Sequence, residues 1–224
     1  MKAAVLVYGM YTCFDIAVKS WRFLNEIDCD VYFSTWSHHK KYSPKLDYLS
    51  EFDVNEDMIR KHIPNLNLQI HNEKDYIFDY TLLKVIFHWN NCLKMIEESG
   101  KKYDIMILTR PENFMKYIFD SSEFFNKNEK NKIYGLENIK IVGNNKYFIQ
   151  DIFFVGDFNI MYDLLNTMPT DSSDMHGKLS EHIISKNLQV EVINNIGVMT
   201  LRPNCVESNE NNYEKLWDKV QEWG

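Results

Sequence analysis

Tyr103-Asp104-Ile105-Met106-Ile107-Leu108-Thr109-Arg110-Pro111-Glu112 is the stretch on which the reading of this chain turns. Its apolar run reads as a buried strand that ends in an arginine, a rigid proline and a carboxylate. In an open α/β sheet, ligands bind outside the carboxyl ends of the strands. A guanidinium and a carboxylate at such an exit suit a charged ligand, and a diphosphate foremost.

The flanking segments supply the rest of such a sheet. Ala3–Tyr8 is a short apolar run that breaks at Gly9, as a central parallel strand does. Phe14–Leu24 has helical spacing, with Ile16, Ala17, Ser20 and Leu24 on one face. Asp30–Thr35 is a second strand, which completes a β-α-β unit. The polar, His/Lys/Ser-rich segment Trp36–Leu49 reads as loop. Asn55–His62 is a short helix that Pro64 stops, and Leu66–Ile70 a third strand. Phe78–Glu98 is the longest predicted helix. Leu82, Ile86, Trp89, Leu93 and Ile96 give it one apolar stripe, and Gly100 ends it.

The second half is less regular. Glu123–Lys132 is a charged excursion, and Ile133–Val142 and Tyr147–Val155 read as strands of a mixed or antiparallel patch. Phe158–Met168 is a helix closed by Pro169, and Asp174 is placed to cap a helix over Met175–Lys186. Leu188–Ile193 and Val198–Leu201 are late strands, and Tyr213–Trp223 a terminal helix. Alternating βαβ followed by a strand-rich half predicts one α/β domain over residues 1–224. Within it, residues 1–113 form a nucleotide-binding half and residues 114–224 an acceptor half.

Composition agrees with that class. The 224 residues are 45% hydrophobic and 25% charged, enough for one domain with a substantial core. Lys and Arg number 25 against 32 Asp and Glu, a net charge of -7, which argues against a general affinity for nucleic acid. No apolar run approaches the roughly 20 residues of a membrane span. The opening residues read as a strand and not as a signal peptide, so a cytoplasmic location is expected. Cys13, Cys29, Cys92 and Cys205 are scattered without a C-x-x-C pair, which predicts reduced thiols.

Several chemistries lack their motifs. The chain has no G-x-G-x-x-G, no P-loop, no H-E-x-x-H and no G-x-S-x-G. Asp28-Cys29-Asp30 has the spacing of a metal-binding carboxylate pair, but it stands at a strand entrance and reads as a helix-to-strand turn. His38-His39 has no third ligand nearby in sequence and reads as loop.

Taken in order, Val5–Gly9, Asp30–Trp36, Tyr103–Glu112 and Asp151–Met161 resemble the GT-A-type glycosyltransferases. The resemblance is nearest to the small enzymes of capsule, lipopolysaccharide and viral glycan pathways. It covers most of the chain, through motifs that are each short. It implies a GT-A-like, Rossmann-type mixed sheet flanked by helices, and transfer of a sugar from a nucleotide-sugar donor to a glycan or other hydroxyl acceptor. The family's strand-exit signature of Arg-x-Arg-Pro-Asp type falls on residues 108–112, and its Asp-x-Asp-like metal site on Thr109–Asn113. Leu108 stands where an arginine is common, and Glu112 where the family has Asp. Glu112 is then the candidate ligand for Mn2+ or Mg2+. Transfer without metal, with Arg110 holding the diphosphate, is the alternative.

The same resemblance puts the family's Asp-x-Phe-x-x-Gly segment on Asp151–Gly156. Asp151 then faces the donor sugar or the acceptor hydroxyl, as charge stabiliser or general base. Glu181 is a candidate second carboxylate, set against a solvated helix face. His176 is a candidate late metal ligand, set against a structural role. Tyr8, Gly9, Thr35 and Trp36 end the first two strands, where an aromatic can stack on a base; core packing is the competing reading. Lys84 is placed either to reach a phosphate or to lie in solvent. Two other readings stand beside the transferase. One is a sugar nucleotidyltransferase, although Gly9–Cys13 lacks the basic residues of its usual loop. The other is a non-catalytic, ligand-binding relic of the fold, favoured by the missing Asp at position 112.

Overall fold

The computed structural model describes residues 1–43, 48–115, 131–136, 140–142, 146–148, 152–193 and 198–201. Among these, the strands are β1 Lys2–Gly9, β2 Asp28–Trp36, β3 His38–Ser43, β4 Tyr48–Asp53, β5 Asn67–His71, β6 Ile105–Thr109, β7 Asn113–Met115, β8 Lys132–Gly135, β9 Lys140–Val142, β10 Lys146–Phe148, β11 Phe153–Asp157, β12 Gln189–Val192 and β13 Val198–Thr200. The α-helices are α1 Phe14–Ala17, α2 Phe23–Glu26, α3 Glu56–Arg60, α4 Thr81–Ser99, α5 Phe158–Asn166 and α6 Met175–Ser185.

Seven strands form one sheet in the order β12-β8-β11-β6-β1-β2-β5. Six run the same way, and β11 alone is antiparallel to its neighbours β6 and β8. The centre is apolar on both faces, as it must be between helical layers. Ala3, Ala4, Val5, Leu6 and Val7 of β1 are all fully buried, as is most of β6. One face packs Phe14, Trp21, Phe23 and Ile59 from α1, α3 and the segments between them. The other packs α4, α5 and α6 through Leu82, Trp89, Leu93, Met161, Leu165 and Leu179. The chain therefore grows outward from β1 to β2 to β5 with helices on one face. It then crosses back through α4 on the other face to set β6 beside β1. This reversal puts the topological switch point at the carboxyl ends of β1 and β6, the place where open α/β sheets bind ligands.

The stripe of α4 is buried as its spacing requires, at Leu82, Ile86, Trp89, Leu93 and Ile96. Gly100 ends the helix in the left-handed conformation at φ 62°. Asp174 caps α6 by accepting from the Gly177 amide, and Asp157 caps α5.

Four expectations need correction. Trp36–Leu49 is not loop: β2 runs through Trp36, and β3 and β4 form an antiparallel ribbon. Charge pairing across that ribbon, His38 with Asp53 and Glu51 and Lys40 with Glu51, holds a sequence of weak strand pattern in register. Phe14–Leu24 is not one helix but α1, a 3-10 turn at Val18–Ser20, and α2. The interruption follows from tertiary bonds. Ser20 Oγ donates to the Ala17 carbonyl and accepts from the Met115 amide, and Trp21 Nε1 donates to the Asn113 carbonyl at 2.6 Å. The predicted strands Ile133–Val142 and Tyr147–Val155 each divide, into β8 and β9 and into β10 and β11. Of these, β8 joins the main sheet parallel to β12, while β9 and β10 pair apart from it. The Glu123–Lys132 excursion lies outside the described residues up to residue 130, as does the whole Tyr213–Trp223 helix.

Candidate functional site at the carboxyl edge of the sheet

Strand β6 brings Arg110 and Glu112 to the sheet's carboxyl edge, one strand from Gly9. The exit is a tight turn: the Asn113 amide donates to the Arg110 carbonyl at 3.2 Å, and the Leu201 amide to the Glu112 carbonyl at 2.9 Å. Within the turn, Arg110 Nη2 donates to Glu112 Oε1 at 2.5 Å. Glu112 is 1% exposed and the Arg110 side chain 31%, so the carboxylate is sealed while the guanidinium reaches the surface. The second carboxylate oxygen, Oε2, is buried and has no hydrogen-bond partner. A carboxylate carried into the interior needs its counter-ion, and Arg110 supplies it.

Asn113, the last residue of the Thr109–Asn113 stretch and given no role of its own there, organises this exit. It is fully buried and donates through Nδ2 to Thr109 Oγ1 at 3.0 Å and to the Ile152 carbonyl at 2.7 Å. The carboxamide thereby ties the β6 exit to the entry of β11. A polar side chain one place past a candidate ligand was the only sequence signal available. Asp151 itself lies outside the described residues.

On the neighbouring strands, Gly9 has φ 109°, which favours glycine, and no atom lies within 4 Å of where a Cβ would stand. Tyr8 is buried and packs edge-on against Trp89, ring centres 5.5 Å apart. Thr35 is buried, with Oγ1 lacking a partner. Trp36 is 3% exposed; its ring stacks on Phe87 at 5.3 Å and meets His88 edge-on at 4.3 Å. Both rings are thus buried among other aromatic side chains. Lys84 is ion-paired with Glu73 on the turn before α4. Glu181 sits exposed on α6, paired with Lys178 at 3.6 Å. The structure thus brings Arg110, Glu112 and Gly9 to one edge, while Lys84 pairs with Glu73 just past the end of β5 and Glu181 with Lys178 on α6.

Asp28 and Asp30 have a structural explanation at the opposite, amino edge. Asp30 bonds Lys2 at 2.9 Å, Lys101 at 2.8 Å and the Tyr103 hydroxyl at 2.7 Å. Burial pushes its carboxyl upward, but the bonds from Lys101, Tyr103 and Lys2 outweigh this and hold it at about 2. No group of three or more His, Cys, Asp or Glu among the described residues converges on a common metal position.

Compared with known protein families and with curated proteins, the chain matches none. Among solved structures it is similar to A197 from STIV, at 7% identity over 91% of each chain and a TM-score of 0.44. What fold and site define is a single-domain mixed α/β protein with a mostly parallel seven-stranded sheet. Among its described residues no helix is long and apolar enough to cross a membrane.

Proposed function

We propose that the chain is a glycosyltransferase of GT-A type that binds a nucleotide-sugar donor at the carboxyl edge of β1 and β6. The observation that carries this reading is the Arg110–Glu112 pair. A partly exposed guanidinium is held in place by a buried carboxylate at the exit of a central strand. Such a fork, already oriented, binds diphosphate oxygens with little further ordering. Gly9, with open space above it on the adjacent strand, lets a ligand approach the backbone. Glu112 is the candidate ligand for Mn2+ or Mg2+ at this exit, and a cation would reach its sealed Oε2 only once the exit opens. Asp151, and Glu181 if α6 contributes, would serve the reacting carbon and the acceptor hydroxyl of a glycan.

A non-catalytic binding module is the second reading. It is favoured by the same pair, because Arg110 and Glu112 bond each other. Thermal shift against nucleoside diphosphates and nucleotide sugars, with and without Mn2+, separates the two, since a ligand of the folded state raises the melting point. Stabilisation by one nucleotide sugar, lost in Arg110→Lys and followed by turnover with an acceptor, is the expected result. Binding without turnover leaves the module, and silence across the panel overturns both.

A further inference from the structure

We propose that His71, His88 and Gln69 form a binding site for one first-row transition metal ion of the zinc kind, beneath α4 and apart from the Arg110 site. Ser34 and Trp36 on β2 stand in register with Gln69 and His71 on β5. All four belong to the face that carries Tyr32, which packs against α4. From α4, His88 descends onto this patch, 1% exposed. Three polar atoms on these elements have no hydrogen-bond partner and no contact with solvent: Nε2 of His71, Nε2 of His88 and Oε1 of Gln69. Buried polar atoms are nearly always satisfied, and these three lie on adjacent elements.

The chemistry of the three selects a cation. Two imidazole nitrogens and a carboxamide oxygen are Lewis bases of the type that borderline divalent ions accept, with zinc–nitrogen distances of about 2.0–2.1 Å. The imidazole rings lie 6.1 Å apart between centres, with room for one bridging atom between them. Ser34 Oγ is 2.8 Å from Nδ1 of His88. That is the outer bond that fixes the tautomer and ring of a ligating histidine. Around the two histidines Trp36, Phe87, Tyr76 and Phe78 form an apolar wall, which restricts competing water.

Untagged full-length protein, stripped with a chelator, tests this by calorimetric titration with Zn2+ and by visible absorption on adding Co2+. One equivalent should bind, with a cobalt spectrum of nitrogen–oxygen ligation. Affinity should fall about tenfold or more in His71→Ala and in His88→Asn, and by about 10–100-fold in Ser34→Ala. His38→Ala, on the surface ribbon, should leave it unchanged. Absence of stoichiometric binding to the wild type overturns the site and leaves an enclosed water as the bridging atom. Unchanged affinity in His71→Ala overturns it equally. That variant lies on the edge strand and decides the matter even where His88→Asn fails to fold.

Discussion

Glu112 shows how one residue sets the terms for its neighbour. Its carboxylate is sealed, and Arg110 is the cation that compensates it. Arg110→Ala is therefore not a silent probe of ligand binding, because it leaves a buried charge unpaired. We expect it to cost roughly 3–5 kcal/mol of stability, while Arg110→Lys and the double variant Arg110→Met/Glu112→Gln cost less. Urea unfolding midpoints of the three proteins check this order. Asp30 gives the corresponding pH prediction. Its carboxyl is held at about 2 in the folded state, below the unfolded value of about 3.9. A depressed carboxyl contributes stability that is fully present above the unfolded value and is lost as pH falls toward the folded one. Between pH 5 and pH 2 the wild type should lose more stability than Asp30→Asn, measured as the change in unfolding midpoint. Equal losses would show that Lys2, Lys101 and Tyr103 do not hold the charge.

At the scale of elements, α4 carries the largest share of the second core face. Its apolar stripe was legible because a period of 3.6 is written directly into the sequence. Trp89 lies at its centre, fully buried against Tyr8. Trp89→Ala should cost about 3–5 kcal/mol, read as a fall in melting temperature with the far-UV spectrum retained. His88, one place earlier, looked like any polar residue beside such a stripe. Its bond to Ser34 and its contact with Trp36, both on β2, hold it inward. The ribbon β3–β4 and the broken α1–α2 segment were illegible for related reasons. The ribbon is held by charge pairs between residues well apart in sequence, His38 with Asp53 and Lys40 with Glu51, and the helix is interrupted by hydrogen bonds to Asn113 and Met115, far along the chain.

Across the whole molecule, one sheet joins both halves of the chain, since β8, β11 and β12 extend the same layer as β1, β2 and β6. Tryptophans report on both faces, Trp21 on one and Trp89 on the other. Unfolding followed by tryptophan fluorescence and by far-UV circular dichroism should therefore coincide. Separate transitions would mean that the amino-terminal and carboxy-terminal halves unfold apart.

The sequence by itself determined the parallel core and its exit. A run such as Ile105–Leu108 has no exposed face, so it requires helical layers on both sides, and the residues that follow it must emerge at the carboxyl edge. The tertiary structure alone decided which polar residues meet there. Side-chain convergence depends on strand order and on the reversal between β1 and β6, and neither is encoded in local spacing. That is why Arg110 and Glu112, two residues apart, were found from the sequence. Asn113 with Ile152, and His71 with His88, became visible only once distant segments had been packed together.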